Sequence, residues 1–157
     1  MKEKFVQIVN ENQGIIYKVS KIYRDTKEDQ EDLFQEIVLQ LWKAYPKFRG
    51  ESKVSTWIYR IALNTSIATF RKNKIVIDYI EKTPDTEIHS KEKEASDNEE
   101  KMFIALRKLK DVEKAIISLY LEGYSHKEIA ELIGITENYV GVKFNRIKNK
   151  LIKLLKK

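Results

Sequence analysis

Placed on a helix beginning near Glu137, residues Asn138, Val142, Asn145, Arg146 and Asn149 share one outer face, with Tyr139 and Lys143 on its flank. Asparagine and arginine pair bidentately with adenine and guanine edges, and a valine side chain packs against a thymine methyl. Seven basic residues and one acid stand between Glu137 and Lys157. That is enough to hold phosphates, with Lys148 and Lys150 expected among the contacts. A second constellation lies between Ser55 and Lys72. At 100° per residue, Arg60, Asn64 and Arg71 cluster within about 40° of one another, with Trp57 at the edge of the stripe. Phe48 and Arg49 sit in the charged loop just before it. Cations of this kind contact phosphates, and aromatic rings stack on unpaired bases. Catalysis has no comparable constellation. The histidines, His89 and His126, stand in unrelated contexts, and there is no cysteine, Gly-rich phosphate loop or paired-carboxylate motif. Neither an enzyme nor a cofactor is expected.

The elements that must carry these residues are helical. Five glycines and two prolines in 157 residues leave long uninterrupted stretches. Between Glu28 and Tyr45 the apolar positions are Leu33, Phe34, Ile37, Val38, Leu41, Trp42 and Tyr45, the spacing of an amphipathic helix. Asp29 is its expected N-cap, and Pro46 marks its end. Its polar face presents Asp32, Gln35, Glu36, Gln40 and Lys43, which periodicity alone assigns only to solvent. On the next helix, Ile58, Ile61, Ala62, Thr65, Ala68 and Thr69 share the expected apolar side. Two helices, near 99–108 and 112–121, then lead to Gly123. Ser125 and Glu128 form a capping box, Ala130 is small enough for a close crossing, Gly134 makes the turn, and Thr136 caps the last helix. A short helix, a glycine turn and a longer helix make a helix-turn-helix. Val140, Phe144, Ile147, Leu151 and Leu154 are apolar residues of the longer helix, in steps of four and three. Gly141 costs about 1 kcal/mol of helix propensity against alanine and suggests a close backbone approach.

Charge divides the chain further. Residues 1–73 carry a net +4, residues 74–100 a net −5 and residues 101–157 a net +7. The stretch from Thr83 to Glu100 holds almost no apolar side chains, so burial cannot offset the entropy of ordering it. The expected architecture is all-α, with two small helical domains at 1–73 and 99–157 joined by a flexible acidic linker at 74–98. No apolar run approaches the roughly 18–20 residues of a membrane span. No secretory signal opens the chain, so a cytoplasmic protein is expected.

Three stretches then resemble region two of bacterial sigma factors: Asp32-Leu33-Phe34-Gln35-Glu36, Phe48-Arg49-Gly50-Glu51-Ser52, and Thr56 through Asn64. Gly123 through Ile135, with Val140 and Arg146, resembles region four of the same family. The similarity is to the extracytoplasmic-function group, which retains little beyond these two regions. It implies binding to RNA polymerase core and direction of that enzyme to promoters. On this resemblance Asp32, Gln35, Glu36 and Trp42 meet the clamp coiled coil of the polymerase's largest subunit. Phe48, Arg49, Trp57, Arg60, Asn64 and Arg71 fall on the −10 element, with Phe48 and Asn64 at base-pocket positions and Trp57 either a contact or a structural residue. Asn138, Tyr139, Val142, Lys143, Asn145 and Arg146 fall on the −35 element in the major groove. The linker is expected to thread into the polymerase near the RNA exit path, and an anti-sigma factor is an expected partner. Two departures stand out: Leu109-Lys110 where proline is common, and Glu137 through Lys143 in place of a Thr-Val-Lys-Ser type run. A stand-alone helix-turn-helix regulator accounts for the second domain but not for the Gln35/Glu36 face.

Overall fold

The computed structural model describes residues 2–72 and 97–156, with side chains omitted for 69–72. Every regular element among them is helical, and the chain divides into two compact units between Lys93 and Glu94. The expected linker lies almost wholly outside the described residues, as does His89.

The first unit holds α1 (Lys2–Glu11), α2 (Gln13–Tyr23), α3 (Lys27–Ala44), a 3-10 turn (Tyr45–Lys47) and α4 (Val54–Lys72). Neither α1 nor α2 is among the helices expected from the sequence. Both early helices nevertheless turn apolar residues inward: Phe5, Val6 and Val9 from α1, and Ile16, Val19 and Ile22 from α2. Helices α2, α3 and α4 pack on one another around Leu33, Phe34, Ile37, Val38, Leu41, Ile58 and Ala62. The connector into α3 is fixed by Arg24, whose guanidinium donates to the carbonyls of Tyr23 at 2.9 Å and Ser66 at 3.4 Å.

Two local expectations are corrected. The N-cap of α3 is Thr26, not Asp29: Thr26 Oγ1 accepts the Asp29 N–H at 3.1 Å. Asp29 instead stands in the first turn, where its charge complements the helix dipole. The buried face of α4 is also rotated from the expected one. Ile58, Tyr59, Ala62, Leu63, Thr65 and Ser66 are buried, Ile61 is only half-buried and Ala68 is exposed. Ser66 tolerates the interior because its hydroxyl donates to the Ala62 carbonyl at 2.7 Å.

The second unit holds α5 (Asp97–Arg107), α6 (Asp111–Leu121), α7 (His126–Ile133) and α8 (Glu137–Leu155). Helix α5 begins two residues inside the segment expected to be linker. Helix α8 packs against α5, α6 and α7, burying Val140, Ile147 and Leu151. The capping box forms as read: Ser125 Oγ accepts the Glu128 N–H at 3.1 Å, and Glu128 Oε1 accepts the Ser125 N–H at 2.9 Å. Gly134 takes φ +87°, a left-handed conformation that closes α7, and Thr136 Oγ1 accepts the Tyr139 N–H at 3.1 Å to open α8.

Gly141 does not follow its expectation. A Cβ added there meets only His126 Nδ1, at 3.9 Å, an ordinary van der Waals contact. Nothing among the described residues therefore requires glycine, and Gly141→Ala is expected to raise the stability of this unit by about 1 kcal/mol. Denaturant unfolding followed by helical circular dichroism measures it. A loss of stability would mean that His126 cannot accommodate the methyl group.

Candidate nucleic-acid interface

The candidate surface on α8 is built first from the turn. The Ser125 and Thr136 caps and the left-handed Gly134 fix where α8 leaves α7. The buried stripe at Val140, Ile147 and Leu151 then decides which side of α8 faces outward. On that side Asn138, Tyr139, Val142, Asn145 and Arg146 are all exposed, and Lys143 is half-buried. Tyr139 at 44 % and Val142 at 49 % exposure are apolar groups left in water beside polar ones. Lys143 Nζ stands 5.7 Å from the centroid of the Tyr139 ring, a cation–π contact that holds both at one edge of the face. Behind the face, Tyr120, His126 and Phe144 form an aromatic cluster, with Tyr120 and Phe144 centroids 4.4 Å apart.

Lys150 departs from its expected role. Its ammonium donates to both oxygens of Glu113, at 3.0 and 2.9 Å, rather than standing free for phosphate. Glu113 is 1 % exposed and also accepts the Lys110 N–H at 2.9 Å. Burial alone raises the carboxyl pKa. The Lys110 N–H, the Lys150 hydrogen bond and charge, and the charge of Lys143 together outweigh it and hold the group below its ordinary 4.5. No local pattern in the sequence points to this pair, because its members are 37 residues apart.

In the first unit, the loop after the 3-10 turn is shaped by Gly50 at φ +75° and anchored by the Phe48 N–H on the Tyr45 carbonyl at 3.0 Å. Phe48 stacks on Trp57, centroids 4.6 Å apart and planes 29° apart. Trp57 also meets Tyr45 at 6.4 Å. Both stacked rings are half-buried, so the pair roots the loop on α4 while keeping part of its surface accessible. Arg49 is exposed in the loop, and Arg60 and Asn64 are exposed one turn apart on α4. Arg71 lies in the last turn of α4, and its side chain is outside the described residues.

On α3, Asp32 is exposed while Gln35 and Glu36 are half-buried. Glu36 Oε2 accepts from Gln40 Nε2 at 2.9 Å. Gln35 Oε1 is buried with no hydrogen-bond partner among the described residues. Trp42 is turned partly inward, its ring edge-on to Phe5 at 5.0 Å. Phe5 in turn meets Tyr45 at 5.3 Å. The resulting belt runs Trp42–Phe5–Tyr45–Trp57–Phe48, and its Phe5 member was not anticipated. No cluster of metal-ligating residues occurs among the described residues, and none of their helices is long and apolar enough to cross a membrane.

Comparison with known proteins bears on both units. Residues 8–75 match the Sigma-70 region 2 family and residues 105–151 match Sigma-70, region 4. The ECF RNA polymerase sigma factor SigX of Bacillus subtilis (strain 168) is 25 % identical over 150 residues, covering 89 % of this chain and 77 % of SigX. The ECF sigma factor SigG of Mycobacterium tuberculosis is 54 % identical over 39 residues, which is 25 % of this chain and 10 % of SigG. The chain thus matches about a tenth of SigG's length. Among solved structures, the sigma factor RpoE of Bartonella quintana, crystallised in complex with the anti-sigma factor NepR, gives a TM-score of 0.72 at 21 % identity, with 98 % of both chains covered. Two unlike helical units, matched in order by the two regions that define the group, establish that this chain belongs to the extracytoplasmic-function family of RNA polymerase sigma factors.

Proposed function

We propose that the chain binds RNA polymerase core in the cytoplasm and directs it to promoters, reading a −10 element with its first unit and a −35 element with its second. The observation that carries this reading is the presence, in one chain and in family order, of two helical units that each expose a polar nucleic-acid-type face. Asn138, Tyr139, Val142, Lys143, Asn145 and Arg146 meet the −35 major groove. Phe48, Arg49, Trp57, Arg60, Asn64 and Arg71 act on the −10 element, with the Phe48–Trp57 stack offering aromatic surface to an unpaired base.

Asp32, Gln35 and Glu36 meet the clamp coiled coil, with Trp42 supporting them from the same helix. The unpaired Gln35 acceptor supports this. Leaving a buried acceptor unsatisfied costs about 1–3 kcal/mol, which a partner's donor would relieve once the side chain swings outward. An anti-sigma factor is a further partner, by analogy with the complex of RpoE and NepR. Bond-making chemistry belongs to the polymerase.

Run-off transcription with purified bacterial core enzyme on a library of upstream sequences tests the reading. Wild-type protein is expected to confer initiation from a subset sharing two spaced motifs. Gln35→Ala/Glu36→Ala should weaken retention on core, Asn64→Ala should impair opening without affecting retention, and Arg146→Ala should cost about 1–3 kcal/mol of discrimination at one −35 position. Initiation from no template, together with specific binding of duplex DNA by the free protein, would instead identify a polymerase-independent regulator.

A further inference from the structure

The Glu113–Lys150 ion pair crosses from α6 to the recognition helix. A single carboxylate, Glu113, closes the N-terminus of α6 through the Lys110 N–H and holds α8 through Lys150. Its side chain is 2 % exposed, whereas that of Lys150 is 46 % exposed. We infer that Glu113 and Lys150 are positioning residues for −35 recognition, setting the rotation and axial register of α8 and thereby where Arg146 and Asn149 stand in the groove. The inference rests on reading α8 as the −35 helix.

Apolar residues make much of the remaining α8 contact, beside the Tyr120–His126–Phe144 cluster. Val140, Ile147 and Leu151 supply burial, which is non-directional and tolerates small slides and rotations of one helix on another. A carboxylate fixed by a backbone N–H at one end and an ammonium at the other tolerates much less, because hydrogen bonds weaken steeply with distance and angle. Arg146 lies four residues before Lys150, one helical turn along the same strip, so rotation at one is carried to the other. Net stability is a poor explanation for the pair. An ion pair in such a setting is commonly matched by apolar residues of similar volume, whereas buried polar pairs are best attested as devices for register. A phosphate contact by Lys150 fits less well, since two of its three donors are already committed to Glu113.

The test reconstitutes polymerase holoenzyme with full-length variants and measures the ratio of initiation from a matched template to one with a single −35 substitution. Thermal unfolding of each variant is recorded alongside. Glu113→Leu/Lys150→Met is expected to remain folded and yet lose about fivefold in this ratio, while Lys150→Arg keeps it. Glu113→Gln retains volume and the Lys110 N–H bond but lacks the charge, and should lose the ratio similarly, so the test survives if the double variant does not fold. A folded charge-free variant with the wild-type ratio overturns the inference. So does an equal loss on matched and substituted templates with a reduced salt slope, which is the behaviour of a phosphate contact. If wild-type holoenzyme fails to discriminate −35 sequences at all, it is the assignment of α8 that has failed.

Discussion

In Lys150→Met the second unit is expected to lose about 2–4 kcal/mol at pH 7.5, more than Glu113→Gln loses, even though Lys150 is the exposed partner. The asymmetry follows from what each change leaves behind. Removing the charge of Glu113 frees a lysine that is already 46 % exposed and rehydrates in place. Removing Lys150 strands a carboxylate that is 2 % exposed, with the Lys110 N–H as its remaining hydrogen bond in this network. The two proteins should also respond to pH differently. In the wild type the Glu113 pKa lies below its ordinary 4.5, so the stabilisation is complete above that value and is lost as pH falls through the folded-state pKa. In Lys150→Met burial is unchanged while the Lys150 hydrogen bond and charge are gone, leaving the Lys110 N–H and the Lys143 charge to oppose it, so the folded-state pKa moves upward and less stability is gained as the carboxyl ionises. The deficit relative to wild type should therefore be larger at pH 7.5 than at pH 5. Urea unfolding followed by circular dichroism at both values measures this, and a deficit independent of pH would show that the pair contributes packing rather than charge.

What could be read from the sequence was local. The Ser125/Glu128 box, the Gly134 turn and the Thr136 cap each lie within a few residues of the groups they satisfy, and each formed as read. The α3 cap was misplaced for the same local reason: Thr26 and Asp29 are both good capping residues, and only the hydrogen bond from the Asp29 N–H decides between them. Helix α4 is apolar over so much of its circumference that Tyr59 and Leu63 compete with Ile61 and Ala68 for the interior. Packing against α2 and α3 settles which side wins. Gln35 and Glu36 on α3 are half-buried, whereas the outward polar residues Arg60 and Asn64 on α4 and the face of α8 were legible because exposed residues need no particular neighbour. The Glu113–Lys150 pair and the aromatic belt were not, because they join residues distant in sequence and obey no period. The early helices were missed although Phe5, Val6 and Val9, and then Ile16, Val19 and Ile22, recur at helical intervals.

Phe5→Ala should cost the first unit about 3–5 kcal/mol, a large share of what a small domain has available. Phe5 is completely buried, and its ring touches both Trp42 and Tyr45. Its loss opens a cavity between α1 and α3 and removes the link that steadies Tyr45 against Trp57. Because Phe48 is stacked on Trp57, the disturbance reaches the loop assigned to the −10 element, although Phe5 itself is too deep to touch DNA. Phe5→Leu refills most of the volume and should lose substantially less. The tryptophans, Trp42 and Trp57, both lie in this unit, so intrinsic fluorescence in denaturant reports its stability without interference from the other. Below its unfolding transition, Phe5→Ala should also open promoters more slowly, while binding to −35 DNA, which is assigned to the other unit, stays near wild type. Asn64→Ala is the matching control, exposed and free of the belt, and should slow opening with no shift in the fluorescence midpoint. If Phe5→Ala were as destabilised as expected yet opened promoters at the wild-type rate while folded, the aromatic belt would be core packing alone, and the Phe48–Trp57 stack would not depend on α1 for its placement.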